Sequence, residues 1–253
     1  GMIAAATVLA TLQIWVVDEK RYGTGRSSTV ALGPALKMAF KNRGFVLFAL
    51  TNQVYFWSDN LFTSGMIYFI TIICGLSDSM MLAFGGTIAG LGLLLYPLVN
   101  VAAARTGKKF LYSLALVMMT LLMPVFAFAD KIPIPISTLS WIMVGLVAIP
   151  CSITGIIPGA ISTEIVREDC LRTGVAKEAS FGAANGLICA IPGGFVGLIM
   201  PSLLLLGKSQ ANPTGVRAIA LASAACSIAA LVMLRLLFDE KKLQASLAAH
   251  GYR

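Results

Sequence analysis

A single carboxylate interrupts a long apolar run. Asp59 lies about midway along the hydrophobic residues 45–74. Asn52, Tyr55 and Thr63 fall with it at spacings of three or four, which is one face of a helix. Gln53 and Asn60 flank the stripe, and Trp57 is close by. A carboxylate at membrane depth costs several kcal/mol unless it faces protein or water, so it marks a functional site by default. Carboxylate, amide and aromatic groups together suit a sugar, whose hydroxyls want polar partners and whose ring faces want an aromatic surface. The plainer role for the same cluster is hydrogen bonding between neighbouring helices, or an Asp59 that reaches the outer interface.

Asn185 is a second amide within an apolar run, one turn above its charged end. The ligand-binding candidates are therefore Asp59, Asn185, Asn52, Tyr55 and Trp57. Asn100, Ser152 and Thr154 are weaker, because a hydroxyl can satisfy itself on the carbonyl four residues back. Two charged segments could act together outside the membrane. One is the turn with Arg105, Lys108 and Lys109, and the other is the loop 163–178, dense in both signs. Arg105, Lys108, Lys109, Glu164, Arg167 and Glu178 form a candidate cytoplasmic gate. A solvated turn is the alternative, since exposed ion pairs contribute little singly.

The elements that hold these residues are membrane helices. Of 253 residues, 58% are hydrophobic and 12% charged, where a soluble domain carries about 25% charged residues. Mean hydropathy is +0.86. A span needs about 20 apolar residues, and seven runs approach that: 2–17, 45–74, 79–102, 111–128, 139–161, 179–206 and 216–238. The first is short and lacks the positive flank of a secretory signal, so it reads as the cut end of a longer helix. Basic residues crowd alternate connections, which places those connections and the C-terminus in the cytoplasm by the positive-inside rule. This accounts for the net charge of +8, and no nucleic-acid partner is expected. Within the first long loop, residues 31–41 repeat apolar positions at helical spacing beside Lys37 and Lys41, as an interfacial helix on anionic lipid would.

Small-xxx-small pairs recur at Gly86/Gly90, Gly155/Gly159, Gly182/Gly186 and Gly193/Gly197, a spacing that lets helices approach closely. Prolines 97, 124, 150, 158, 192 and 201 fall in or beside spans, which favours a bundle that bends or moves. The five cysteines form no CxxC pattern, and His250 is the one histidine. No metal site or catalytic constellation follows from them.

Four segments in order resemble the glycoside–pentoside–hexuronide cation symporters, the melibiose-carrier-like branch of the major facilitator superfamily. They are Asn42-Arg43-Gly44-Phe45; Tyr68-Phe69 with Cys74-Gly75; Arg105-Thr106-Gly107-Lys108-Lys109; and Glu164-Ile165-Val166 through Thr173-Gly174, Lys177-Glu178 and Phe181-Gly182. The resemblance implies an all-α polytopic membrane protein: the C-terminal six-helix bundle of the major facilitator fold with a truncated preceding helix. It divides the chain into a truncated sixth helix (1–17), a cytoplasmic central loop (18–44), the bundle (45–238) and a cytoplasmic tail (239–253). It also implies secondary transport of a sugar or glycoside by alternating access, coupled to Na+ or H+ bound mainly by an N-terminal half that would be this chain's partner. No cofactor and no enzymatic step are implied, and membrane lipid and a small-molecule substrate are the other partners. This sequence departs from the family pattern at Ala190, where a lysine is common, at Gly155, where some members carry an aromatic, and at Glu164, in place of aspartate. Fewer polar groups would also fit a carrier of a lysolipid or other amphiphile. A non-transporting membrane subunit or partial gene product is a further reading, and no filter-like repeat supports a channel.

Overall fold

Asn42 begins the first long helix. Its side chain accepts the backbone N–H of Phe45 at 3.0 Å, and α1 runs from there over Arg43–Tyr68. The computed structural model describes residues 37, 39–174 and 178–249. The expected span 2–17, most of the central loop and the residues Lys177 and His250 lie outside them. Of the expected interfacial helix, Lys37 and residues 39–41 are described and helical, with Ala39 buried against the bundle.

After α1 the chain makes one π-turn, Phe69–Ile73. It continues as α2 (Met80–Thr106), α3 (Lys108–Ala127), α4 (Ile136–Thr173), α5 (Glu178–Leu204), α6 (Thr214–Leu237) and α7 (Glu240–Ala249). All regular structure among the described residues is helical. Helices α2 to α6 are each long and apolar enough to cross a membrane, so this is an all-α polytopic membrane protein. Helix α1 is as long as they are, but Thr51, Asn52, Gln53, Ser58, Asp59 and Asn60 leave it less apolar. It tolerates them because it is enclosed, packed on α4, α5 and α6.

Two sets of contacts mark the ends of the bundle. At one end Asn42 meets Asp169, and Lys108 meets Glu164 and Glu240. At the other, Arg217 pairs with Asp130 at 2.7 Å and Gln210 donates to the Thr71 carbonyl at 3.2 Å. Six helices therefore run alternately between a basic end and an opposite end. Gly107 alone joins α2 to α3, at φ 88°, a left-handed value that favours glycine. The helices run unbroken through Pro97, Pro124, Pro150, Pro158 and Pro201.

The interior has two aromatic centres. Phe48 packs on Tyr112 and Phe238 near the basic end, and Phe62, Phe69 and Phe126 pack together near the other. Helices α2 and α5 are the least embedded. Leu82, Leu93 and Leu98 of α2 and Leu198 of α5 are exposed, Leu82 to 84%, as side chains that face lipid are.

Two expectations are corrected. The segment 163–178 was expected as a loop, but α4 continues helical to Thr173. At 38 residues it measures about 57 Å against about 30 Å of hydrocarbon. Leaving the membrane does not end a helix. Nothing before Gly174 breaks it, and Arg172 pairs back to Asp169 and Glu168 along it. The glycine pairs were expected to seat neighbouring helices. A Cβ at Gly86, Gly90, Gly159, Gly182, Gly186 or Gly197 would meet nothing within 4 Å. Among the described glycines of these pairs, Gly155 alone is packed, with 3.2 Å between the Tyr96 hydroxyl and the point where a Cβ would stand.

Candidate functional site

The Tyr55 hydroxyl ties α1 to α4 about midway along both helices. It donates to Thr154 Oγ1 at 2.7 Å and lies 3.4 Å from Asp59 Oδ1. Thr154 in turn donates to the Pro150 carbonyl at 2.9 Å, so its own proton is spoken for. Tyr55 has one proton for two acceptors, and the shorter contact belongs to Thr154. Asp59 is thus held at one oxygen by a long contact, and Oδ2 has no hydrogen-bond partner among the described residues. The carboxylate is partly exposed and able to take a ligand hydroxyl, a cation or a proton.

The other expected stripe members are less free. Asn52 is buried and accepts from the Tyr112 hydroxyl of α3 at 2.9 Å. Asn60 donates to the Phe56 carbonyl of its own helix at 2.8 Å. Ser58, on a different face, shares buried hydroxyl contacts with Ser223 and Ser227 of α6 at 2.9 and 2.7 Å. Tyr112, Ser223 and Ser227 had drawn no attention in the sequence. Tyr112 stands three residues beyond a basic turn, where a tyrosine reads as an interface residue. The serines are too small and too common in membrane helices to stand out.

Trp57 does not join Asp59. Two residues along a helix is about 200° of rotation, and its ring packs on Phe195 of α5 at 5.4 Å. Its indole N–H and both polar atoms of Gln53 are buried without hydrogen-bond partners among the described residues. An unmet buried polar group costs about 1–3 kcal/mol.

Asn185 is also apart. Helices α1 and α5 run parallel, as the pairs Phe45–Phe181 at 4.8 Å and Trp57–Phe195 show. That register sets Asn185 level with Ala49, about 15 Å along the axis from Asp59 at 1.5 Å per residue. Asn185 instead lines a cavity of about 370 Å³ between α1, α4 and α5, with Ser162, Thr163, Arg167 and Phe181. The expected ligand residues therefore divide into Asp59 with Tyr55, Trp57 on the α5 side, and Asn185 near the basic end.

At the basic end the structure brings Lys108 and Glu164 into an ion pair. Lys109 reaches the Phe238 carbonyl through its ammonium group. Arg105 stands exposed in the last turn of α2, and Arg167 lines the Asn185 cavity. The Glu178 side chain lies outside the described residues. Six further residues complete the cluster. Glu240 accepts the backbone N–H groups of Lys108 and Lys109 at 2.8 and 3.1 Å. Gln244 donates to Glu164 at 3.1 Å and Ser246 to Glu168 at 2.8 Å. Asn42 donates to the buried Asp169 at 3.1 Å. The tail helix α7 is thereby fastened across the ends of α3 and α4. Its polar sequence had signalled no more than a tail.

A family model described as MFS/sugar transport protein matches residues 1–239. No curated protein and no solved structure matches the chain.

Proposed function

The chain belongs to the MFS/sugar transport family, and we propose that it is the C-terminal bundle of a cation-coupled sugar or glycoside carrier. Membership makes it a major facilitator transporter embedded in lipid and acting on a small molecule. The substrate, the coupling and the residues are the proposal. One observation carries it: Asp59 lies beside Tyr55 on α1, with one carboxylate oxygen left without a partner among the described residues.

The mechanism is alternating access, with this bundle rocking against a second one around a midplane site. Asp59 accepts substrate hydroxyls, and Tyr55 orients it while bridging to Thr154. Asn52 and Tyr112 hold α1 to α3, which keeps the stripe in place. Asn185, with Ser162 and Thr163 around it, offers a second polar station on the way to the basic end. That end faces the cytoplasm by its charge. Lys108–Glu164 and the contacts of Glu240, Gln244 and Asn42 close the cytoplasmic side, and Na+ or H+ supplies the driving gradient. No bond is made or broken.

The test is uptake of labelled methyl glycosides by the native carrier in proteoliposomes, under an imposed sodium or proton gradient. Gradient-dependent accumulation that Asp59→Asn abolishes supports the reading. Accumulation that Asp59→Asn leaves intact, or uptake of lysophosphatidylcholine in place of any glycoside, overturns it.

A further inference from the structure

Most buried polar side chains of α1 have a partner. Thr51 donates to the Leu47 carbonyl, Asn52 accepts from Tyr112, Tyr55 donates to Thr154, and Ser58 meets two serines of α6. The exceptions fall together. Gln53, 5% exposed, has neither its amide oxygen nor its amide nitrogen engaged, and the indole nitrogen of Trp57 is equally without a partner. The two residues are one helical turn apart on one face, which the Trp57–Phe195 contact turns toward α5. Such groups are normally hydrogen-bonded, and an unmet cluster calls for an occupant.

We propose that Gln53 and Trp57 form a ligand subsite on the seam between α1 and α5, separate from the Asp59 face, that takes the hydroxyls of an uncharged glycoside. The proposal rests on the carrier reading and extends it to a second contact surface. The chemistry selects the ligand class. The carboxamide supplies two N–H donors and an acceptor, and the indole a third donor, which matches hydroxyls that both give and accept. The neighbours one turn away on this face, Ala49, Leu50, Phe56, Asn60 and Leu61, carry no charge, so nothing there would hold an ionic headgroup. The indole ring offers the flat apolar surface that a sugar ring's C–H faces need. Access follows from the packing: α5 is the least embedded helix and rests mainly on α1. Its displacement uncovers the seam, while the Tyr55–Thr154 contact on the other side of α1 stays closed. Asn185 lies roughly 6 Å below Gln53 by the same register, so the seam leads toward its cavity.

The experiment uses the native carrier in nanodiscs, with Trp15→Phe, Trp141→Phe and any tryptophan of the second bundle also replaced by phenylalanine, so that Trp57 is the emitter. Methyl-α-glucoside and methyl-β-galactoside are titrated, with lysophosphatidylcholine as the contrast. The expected result is a saturable shift of Trp57 emission with a glycoside, weakened at least about tenfold by Gln53→Leu. The same substitution raises the melting temperature without ligand, because it removes an unmet polar group. A lowered melting temperature shows that Gln53 is already satisfied and overturns the proposal. An unchanged glycoside affinity in Gln53→Leu also overturns it while leaving the carrier reading intact. A response to lysophosphatidylcholine alone overturns the ligand class, and with it the sugar reading.

Discussion

Glu240 caps the N-terminus of α3 from a distance of more than a hundred residues. Its two carboxylate oxygens accept the backbone N–H groups of Lys108 and Lys109, both of which would otherwise have no partner within the helix. A carboxylate there also complements the helix dipole. The chain needs this loan because Gly107, the residue before α3, has no side chain with which to cap it. Glu240→Ala is expected to cost about 1–2 kcal/mol, and Glu240→Gln less, since it keeps one acceptor oxygen. Thermal unfolding of the purified carrier in detergent checks this. Equal stability of all three proteins would show that α7 does not hold α3.

The Tyr55 hydroxyl serves two residues, so its removal should be felt at both. Tyr55→Phe is expected to cost about 1–2 kcal/mol through the lost bond to Thr154, and also to alter transport through Asp59. Thr154→Val removes the first effect alone. A double-mutant cycle on melting temperature should show coupling of about 0.5 kcal/mol or more between Tyr55 and Thr154. The matching cycle on uptake should place Tyr55 with Asp59. Additive behaviour in both would leave the hydroxyl without a role.

Asn52 tests the structural half of the same stripe. Tyr112→Phe leaves its buried amide oxygen without a donor, at a cost of about 1–3 kcal/mol. Asn52→Leu with Tyr112→Phe removes both polar groups and should recover part of that loss. A substrate role for Asn52 predicts the reverse pattern, in which Tyr112→Phe frees the amide and tightens binding. Ligand affinity measured beside melting temperature separates the two.

How much of this could be read in advance depends on whether a feature is local. The helices, the stripe on α1 and the basic end follow from spacing and charge along the chain, and the structure contains them. The separation of Trp57 from Asp59 was also local, since residues two positions apart on a helix do not share a face. The separation of Asn185 from Asp59 was not, because it depends on the register in which α5 lies beside α1. Phe181 and Phe195 set that register through contacts with residues well over a hundred positions away. Glu240 and Tyr112 stayed hidden for the same reason. Each is unremarkable in its own segment and acquires a role through a partner on another helix. The loop expected at 163–178 failed differently. Charge density was read as loss of structure, where it marks only the point at which α4 leaves the hydrocarbon.

Asn42 joins two of these contacts in one side chain, and its replacement by aspartate would set them against each other. The amide oxygen caps α1 by accepting the Phe45 N–H at 3.0 Å, and the amide nitrogen donates to Asp169 at 3.1 Å. Asp169 also accepts from Arg172 at 2.7 Å and is only 3% exposed. Asn42→Ala loses the cap and the donor together, for about 1–2 kcal/mol. Asn42→Asp preserves the cap but turns an acceptor toward a carboxylate, so two like charges meet where water is scarce. At neutral pH it should therefore be the less stable variant, although it is the better cap. The sign with pH follows from the same pairing. In the folded state one of the two carboxyls is easier to protonate than in the unfolded chain, so the folded variant takes up a proton first as pH falls. The deficit of Asn42→Asp against wild type should shrink from pH 7 toward pH 5, while that of Asn42→Ala stays nearly level. Melting curves of the three proteins across that range decide it. A parallel trend for both variants would mean that Asn42 acts as a cap alone, and that Asp169 is held by Arg172 without it.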